Sequence, residues 1–402
     1  AAYWDFDPAP DESAQDWEEQ IREALLAAAR EMAYADVPVG VFLSGGIDSS
    51  AVTAALARAG SPVEAYTVGF ADEDFDERPW AAAAAAHCGV PHVAREVAPV
   101  DVESLLDDLI TWHYDEPFND YSYLPTYYVC REARRSITVA LTGDGGDELF
   151  AGYGKYALLA RRASVERGLS RPMMQLAAAG ARSVLPGRAR LHGKLLRYEQ
   201  APDDLLAATL VTGLQPAELR AAARGPLAEA LRDHDPLDVV HAQLAKAPPG
   251  EVGLLNAMRY VDLKLTLAGG ILTKVDRASM AVSLETRPVF LNRSVLDLAA
   301  RIPPRLLATG GAPKLALRNA VRAWLPEGLV DRAKQGFAMP LGRWGRGSLR
   351  RLLEPVTDGR VSALVDPGFA AALAREHASG HDRTAALHSF ALLERWLGRW
   401  GA

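Results

Sequence analysis

Short apolar runs alternate with longer stretches of helical periodicity through the first 150 residues. Four runs have the length and the β-branched content of buried strands, at 37–43, 63–70, 91–97 and 137–142. Helical patterns fall between and beside them, at 49–58, 76–87, 101–112 and 122–135. An earlier helix is predicted to begin at a Ser13 cap and to bury Trp17, Ile21 and Leu25. Alternating strands and helices are typical of a doubly wound α/β fold, whose parallel sheet binds ligands at the carboxyl ends of its strands.

The pattern changes after residue 154. Strand signals disappear from about residue 155 onward, and alanine, leucine and arginine dominate as far as residue 400. We therefore predict a nucleotide-binding α/β core over 1–154 and a mostly helical subdomain over 155–402 that completes the same site. Arginines are frequent in 161–197, where we expect either a solvated helical face or a docking surface for an acidic partner.

Composition narrows the function classes. The chain has 402 residues, 49% of them hydrophobic, which suffices for a large core in two or three domains or subdomains. A net charge of −7 is mild for this length and argues against binding to nucleic acid or to an anionic membrane. No run is long enough to span a membrane, and the two cysteines, Cys88 and Cys130, have neither redox nor zinc spacing. These features predict a cytoplasmic protein that acts on small molecules, and they leave open whether it forms a homodimer.

The most informative segment is 44–50, Ser-Gly-Gly-Ile-Asp-Ser-Ser, which lies between a predicted strand and a predicted helix. Gly45 and Gly46 let the backbone approach an anion closely, and the freed N–H groups join the positive end of the helix. Asp48 is a carboxylate able to hold Mg²⁺. The hydroxyl donors of the segment are Ser44, Ser49 and Ser50. Because no Gly-Lys-Ser/Thr follows, this is not a Walker loop, and we predict a different cradle for the phosphates of ATP.

A second loop follows the last predicted strand. Residues 142–153 read Thr-Gly-Asp-Gly-Gly-Asp-Glu-Leu-Phe-Ala-Gly-Tyr, so that glycines alternate with carboxylates. That composition is poor for a core or a helix and suits a loop that holds an anion and a metal. Asp147 would then face Asp48 from a neighbouring strand end and give Mg²⁺ one carboxylate from each side. The alternative is an exposed acidic turn without function.

Together, the two loops resemble the synthetase domain of class B asparagine synthetases, whose nucleotide-binding part has the ATP-pyrophosphatase fold. Further matches in the family's order are Asp-Glu-Pro-Phe at 115–118, the segment 274–287 that begins Lys-Val-Asp-Arg, and Arg-Ala-Lys-Gln-Gly-Phe-Ala-Met-Pro at 332–340. The resemblance covers most of the chain. The first loop alone would also suit NAD synthetase, GMP synthetase or tRNA-modifying enzymes, but its combination with the later segments is far more specific.

The resemblance implies roles for individual residues. Pyrophosphate contacts would come from Ser44, Gly45, Gly46, Asp48, Ser49 and Ser50. Nucleotide contacts at the strand ends would come from Phe42, Leu43, Val68, Thr142 and Gly143. Asp48 and Asp147 would hold Mg²⁺, and Lys334 would stabilise charge at the α-phosphate. Asp144, where the family usually has Glu, would help to activate the incoming nitrogen, and Lys314 is a candidate for a second phosphate contact.

The activity implied by the resemblance is that of an ATP-dependent ligase. It would adenylate the side-chain carboxylate of aspartate and transfer ammonia, giving asparagine, AMP and pyrophosphate. One alternative is a specialised amide synthetase similar to lasso-peptide cyclases or β-lactam synthetases, which would act on a peptide or natural-product carboxylate. Another is a non-enzymatic nucleotide-binding regulator. The presence of Lys334 together with both aspartates speaks against the regulator, because nucleotide binding alone does not require the lysine.

The chain departs from the family pattern at points that bear on its substrates. No glutamine-hydrolysing domain with an N-terminal catalytic Cys precedes the matching region within this sequence. Nitrogen would therefore come from free ammonia, a partner subunit or a glutaminase domain outside it. Leu267-Ala-Gly-Gly-Ile271 stands where many members have an acidic pair, and Pro288-Val-Phe-Leu-Asn292 also differs from the usual motif. Both differences argue against aspartate as the acid.

Overall fold

Five parallel strands form one sheet, in the order β3-β2-β1-β4-β5. The strands are β1 (Val39–Phe42), β2 (Glu64–Gly69), β3 (His92–Glu96), β4 (Val139–Thr142) and β5 (Glu285–Pro288). The first four lie within the four predicted runs, so the prediction of a doubly wound α/β fold with a parallel sheet is confirmed.

The structure is a computed structural model. It describes residues 4–98, 102, 105, 113–166, 173, 206, 209–210, 213–247, 253–309, 312–332, 336–337, 339–353 and 359–401. Most of the helix predicted at 101–112 and most of the arginine-rich segment 161–197 lie outside these residues.

Helices account for most of the remaining described structure. In chain order they are α1 (Trp17–Met32), α2 (Ile47–Arg58), α3 (Arg78–Cys88), α4 (Tyr123–Ala133), α5 (Gly146–Leu149), α6 (Gly154–Glu166), α7 (Pro216–Ala222), α8 (Gly225–Asp233), α9 (Asp238–Leu244), α10 (Gly253–Val261), α11 (Thr273–Met280), α12 (Arg293–Arg301), α13 (Pro304–Leu307), α14 (Leu315–Val321), α15 (Leu341–Trp344), α16 (Arg350–Leu353), α17 (Pro367–Ala378) and α18 (Thr384–Trp400). A π-helical segment, Asp262–Leu272, joins α10 to α11, and short 3₁₀ turns occur at Val289–Leu291, Arg322–Trp324 and Arg360–Ala363. Among the described residues, no helix combines the length and apolar character that crossing a membrane requires.

The two faces of the sheet pack against different helices. Side chains that alternate along a strand enter opposite cores, because successive residues of a strand point to opposite faces. Ala65 of β2 packs into the core that also contains residues of α1, α2 and α3. Its neighbour Tyr66 packs into the core that contains residues of α4. The sheet is therefore buried on both faces, as a doubly wound fold requires.

The strand order changes direction between β1 and β4. From β1 the chain first builds the sheet in one direction, with β2 and then β3. It then returns to the other side of β1, where β4 and then β5 are added. Val41 of β1 lies opposite Leu141 of β4, so the loops after both strands leave the same edge of the sheet. In open α/β sheets this switch point is where ligands bind.

Three details of the sequence-based prediction were wrong. β5 (Glu285–Pro288) lies in the region after residue 155 in which no strand was expected. The first helix begins at Trp17 without a side-chain cap, because the Ser13 hydroxyl donates to Asp11 (2.6 Å) instead. Arg162 is buried, although we expected the arginines of 161–197 to be solvated or to form a docking surface.

Candidate active site

A cavity of about 1030 Å³ lies at the carboxyl ends of the central strands. Thirteen of the residues predicted for the site line it: Phe42, Leu43, Ser44, Gly45, Gly46, Asp48, Ser49, Val68, Thr142, Gly143, Asp144, Asp147 and Lys314. Ser50 is fully buried at the start of α2 and is not part of the cavity wall. Lys334 lies outside the described residues.

The first loop is held in shape by its own hydrogen bonds. The Ser44 N–H donates to Ser49 Oγ (3.1 Å), and the Ser49 hydroxyl donates to the Gly46 carbonyl (3.2 Å). Gly45 has a φ of 73°, and a Cβ there would lie 2.6 Å from the Ala81 nitrogen of α3. This position therefore requires glycine for both its conformation and its close approach to α3. The loop presents the N-terminus of α2 to the cavity.

The second loop packs directly on the first turn of α2. A Cβ on Gly143 would lie 2.9 Å from the backbone nitrogen of Ser49, so the absence of a side chain at Gly143 allows this contact. The close approach brings the carboxylates of Asp48 and Asp147 to the same place from adjacent strand ends.

Both carboxylates pair with the ammonium of Lys314. Lys314 Nζ lies 2.7 Å from Asp147 Oδ1 and also forms an ion pair with Asp48 Oδ2. Lys314 is only 4% exposed. Burial lowers the pKa of its ammonium, but Asp147 and Asp48 outweigh burial, so the pKa of Lys314 is raised. Its φ of 55° is in the left-handed region, a conformation unusual for lysine that is held by the surrounding structure.

A second buried lysine, Lys274, acts electrostatically on Asp144. Lys274 of α11 is 8% exposed, donates to Ser122 Oγ (2.9 Å) and lies 3.4 Å from Asp120 Oδ2. Asp144 accepts a hydrogen bond from the Thr142 hydroxyl (2.7 Å). Burial raises the pKa of the Asp144 carboxyl, although the Lys274 ammonium and the Thr142 hydroxyl favour its ionised form.

The cavity wall also contains a further acidic group, Glu148, and a further lysine in an ion pair, Lys155. Glu148 is 1% exposed and accepts a hydrogen bond from the Tyr153 hydroxyl. Burial raises the pKa of the Glu148 carboxyl to about 7, and the charge of Asp147 acts in the same direction. Lys155 Nζ lies 2.6 Å from the fully buried carboxylate of Asp262.

Arg332 also lines the cavity. Its guanidinium pairs with the buried carboxylate of Glu77 (3.1 Å) and lies over the ring of Trp80 at 5.2 Å. This arrangement fixes a cation two residues before the predicted catalytic lysine.

Sequence reasoning did not assign a role to several of these lining residues. Lys274, Glu148 and Arg332 all stand in segments that matched the family motifs, which was the available signal. Asp120, Lys155 and the π-helical residue Thr266 had no such signal, because their place in the wall depends on how distant helices pack.

Comparison with known proteins identifies the family. A family model described as asparagine synthase matches residues 20–398. The chain is 30% identical over 372 residues to asparagine synthetase [glutamine-hydrolyzing] 1 of Bacillus subtilis (strain 168), covering 89% of this chain and 55% of that protein. It is 25% identical over 354 residues to asparagine synthetase [glutamine-hydrolyzing] 3 of the same organism, covering 83% and 50%.

A relative with a different name is also similar. The amidase chyE of Penicillium rubens (strain ATCC 28089 / DSM 1075 / NRRL 1951 / Wisconsin 54-1255) is 27% identical over 405 residues, covering 90% of this chain and 59% of that protein. The chain thus spans somewhat more than half the length of most of these relatives. With a family model that matches nearly its whole length, the chain belongs to the asparagine synthase family.

Proposed function

We propose that the protein is an ATP-dependent amide-forming ligase that activates a carboxylic acid as an acyl-adenylate and transfers the acyl group to nitrogen. The observation that carries this proposal is the convergence of Asp48 and Asp147 on one buried cation, beside a glycine loop and the N-terminus of α2. Aspartate is the acid that the names of the relatives suggest, with ammonia as the nitrogen donor and asparagine as the product. A different acid is the alternative.

The donor set fits Mg²⁺. Two carboxylates already share one cation, the Lys314 ammonium, and Mg²⁺ typically takes one or two protein carboxylates together with phosphate oxygens and water. Asp48 and Asp147 would hold the ion, which when bound would neutralise phosphate charge. Lys314 would then be available to the phosphates rather than to the two carboxylates.

Countercharge is the main requirement of the first step. A carboxylate oxygen attacks the α-phosphorus of ATP, and pyrophosphate leaves with the electrons of the broken P–O bond. Two like unit charges about 4 Å apart repel by roughly 4 kcal/mol at an effective dielectric of 20. Uncorrected, this repulsion would slow the step about a thousandfold. The N-terminus of α2, Lys314 and Lys334 are the groups that we expect to offset it.

The second step forms the amide. The nitrogen attacks the acyl carbon, AMP leaves with the electrons of the C–O bond, and the nitrogen loses a proton. Asp144 is the proposed acceptor of that proton, because burial raises the pKa of its carboxyl and thus makes it a stronger base than an exposed aspartate. Water exclusion from the cavity would protect the adenylate from hydrolysis.

Pyrophosphate release tests the proposal. We expect acid-dependent formation of AMP and pyrophosphate from ATP, and its loss in both Asp48→Asn and Asp147→Asn. An exposed carboxylate, Asp297→Asn, is the matched control and should retain activity. If the protein binds ATP but forms no pyrophosphate with any of the acids tested as substrates, the result would instead favour the nucleotide-binding regulator.

Lys334 has its own expected effect. Lys334→Ala should slow adenylation by about 10²–10³-fold, as removal of a group that stabilises transition-state charge does. Thermal unfolding of the variant should be close to that of the unchanged protein. A near-full adenylation rate in this variant would remove Lys334 from the mechanism.

A further inference from the structure

We propose that the acid activated by this site has an uncharged, mainly apolar body and a single carboxylate, in contrast to the two carboxylates and the ammonium of aspartate. This inference rests on the proposed function and concerns the part of the cavity wall formed by the π-helical segment, Lys155, Lys274 and Glu148.

One helical face forms the wall of this part. Thr266 and Ile271 of the π-helical segment and Val275 of α11 all line the cavity. Thr266 and Ile271 are five residues apart, and Ile271 and Val275 are four apart. The hydrogen bonds of a π-helix join residues i and i+5, which brings residues five apart onto one side of the helix. Leu210 also lines the cavity. A substrate that reaches this face therefore contacts two branched apolar side chains, Ile271 and Val275, and the hydroxyl of Thr266.

Two lysines of this part of the wall, Lys155 and Lys274, are already paired with carboxylates of the protein. Lys155 is bound by Asp262 at 2.6 Å, and Asp262 also accepts from the hydroxyls of Tyr156 (2.6 Å) and Thr266 (2.8 Å). Lys274 lies between Ser122 and Asp120 at 2.9 and 3.4 Å. A second substrate carboxylate would have to compete with Asp262 and Asp120 for these lysines. It would also lose its hydration, and a charged group is costly to bury without a new partner.

Among the acidic groups of this part of the wall, Glu148 has an oxygen that suits a neutral donor. Glu148 Oε2 is buried, and no hydrogen-bond partner for it is found among the described residues. With Tyr153 already bonded to its carboxyl, Glu148 can accept one N–H or O–H from the substrate body. The amide N–H of an N-acylated amino acid is a hydrogen-bond donor of this kind and adds no charge.

The size of the cavity is compatible with a second molecule beside the nucleotide. Its volume of about 1030 Å³ is just above the roughly 300–1,000 Å³ typical of ligand pockets. An acid with a body of six to ten carbon atoms is therefore a reasonable choice for the test.

A hydroxamate assay tests the inference with the unchanged protein. Octanoate, 3-phenylpropionate and N-acetyl-leucine are compared with aspartate and glutamate, with ATP and Mg²⁺ present. Hydroxylamine serves as the nitrogen donor, so that the assay does not depend on a glutaminase. We expect kcat/KM for at least one apolar acid to exceed that for aspartate by about tenfold or more, the discrimination that a few methylene contacts provide.

A substitution in the wall provides a second, independent measurement. Ile271→Asp should lower kcat/KM for the preferred apolar acid by about 10–100-fold while the KM for ATP changes little. Met280→Asp is the matched control, because Met280 lies on α11 but is 56% exposed and outside the cavity wall. It should leave both parameters unchanged.

Two results would overturn the inference and leave the ligase proposal standing. These are a preference for aspartate over every apolar acid, or unchanged use of the apolar acid by Ile271→Asp. Failure of all five acids to give hydroxamate and pyrophosphate would contradict the proposed ligase function itself.

Discussion

Gly152 lies against the ion pair between Asp147 and Lys314. A Cβ at this position would lie well inside van der Waals contact of both Asp147 Oδ1 and Lys314 Cε. These atoms are the ends of flexible side chains, so the chain can still fold, but both groups must move. We therefore expect Gly152→Ala to reduce pyrophosphate formation by about 10²-fold or more, since misplacement of about 1 Å in a catalytic site can cost that much.

Gly154 provides the matched control for this prediction. It lies two residues further along the chain, at the start of α6, and a Cβ there would meet nothing within 4 Å. Gly154→Ala should retain activity, and both variants should have similar melting temperatures by circular dichroism. Equal activity of the two variants would contradict the proposed role of the Asp147–Lys314 pair.

At the residue scale, the two glycine-containing loops could be predicted from the sequence, but the distant residues that pair with them could not. Gly45, Gly143 and Asp48 stand in local patterns whose chemistry can be read without a structure. Lys314 was a candidate for a phosphate contact, but its pairing with both carboxylates depends on a helix more than 160 residues further along the chain than Asp147. Such long-range pairings have no local signal.

Arg259 connects the second loop to a distant helix. It is fully buried in α10. Its Nη2 donates to the carbonyl of Leu149 at the end of α5 (2.6 Å) and to the carbonyl of Ala299 near the end of α12 (2.8 Å). Burial lowers the pKa of its guanidinium to about 10, where it is still charged at neutral pH. We expect Arg259→Met to lower the free energy of unfolding by roughly 3 kcal/mol or more, because each buried carbonyl left unpaired costs about 1–3 kcal/mol.

Urea denaturation measures this effect. Arg293→Met is the control, because Arg293 pairs with Asp297 (2.7 Å) on the exposed side of α12 and such surface pairs contribute about 0–1 kcal/mol. Losses of similar size in both variants would show that Arg259 does not connect these elements in the way that its contacts indicate.

The pair of Glu77 and Arg332 leads to a prediction about pH. Burial raises the pKa of the Glu77 carboxyl from 4.5 to about 7, although Arg332 opposes the shift. Between these values the folded protein keeps a proton that the unfolded chain has lost. The contribution of Glu77 to stability is therefore present below about pH 4.5 and is lost as the pH rises towards 7.

Glu77→Gln should make the fall in stability between pH 5 and 7 less steep. The slope does not vanish, because burial also raises the pKa of Glu148 to about 7. Urea midpoints at several pH values measure the slope, and Glu229→Gln, at an exposed pair on α8, is a control that should leave it unchanged. An identical slope in Glu77→Gln would mean that Glu77 does not titrate in this range.

At the scale of elements, long apolar patterns were predictable and short or irregular elements were not. β1, β2 and β4 are buried runs that the sequence makes plain, whereas β5 reads Glu-Thr-Arg-Pro and is a strand only because it extends the sheet beside β4. The π-helical segment Asp262–Leu272 has the composition of an ordinary apolar helix, so its hydrogen-bonding pattern has no sequence signal.

The whole molecule brings groups from both predicted parts into one cavity. Asp48 and Asp147 come from the first 154 residues, whereas Lys274, Lys314 and Arg332 come from the rest. The first part was predicted as a nucleotide-binding core, and the cavity is consistent with the prediction that the second completes its site. The cavity wall contains no cysteine among the described residues, so the source of nitrogen is a separate question.

The thiols of this chain bear on that question. Burial raises the pKa of both Cys88 and Cys130, and Cys130 is fully buried, so neither is a ready thiolate nucleophile of the kind that hydrolyses glutamine. We expect the chain as given to form amide with ammonium or hydroxylamine but to release no glutamate from glutamine. Assays of glutamate and pyrophosphate in parallel measure the two activities, and Cys88→Ala should change neither. Glutamine-dependent glutamate release by this chain alone would contradict the prediction, whereas its appearance only after a second protein is added would assign that chemistry to the partner.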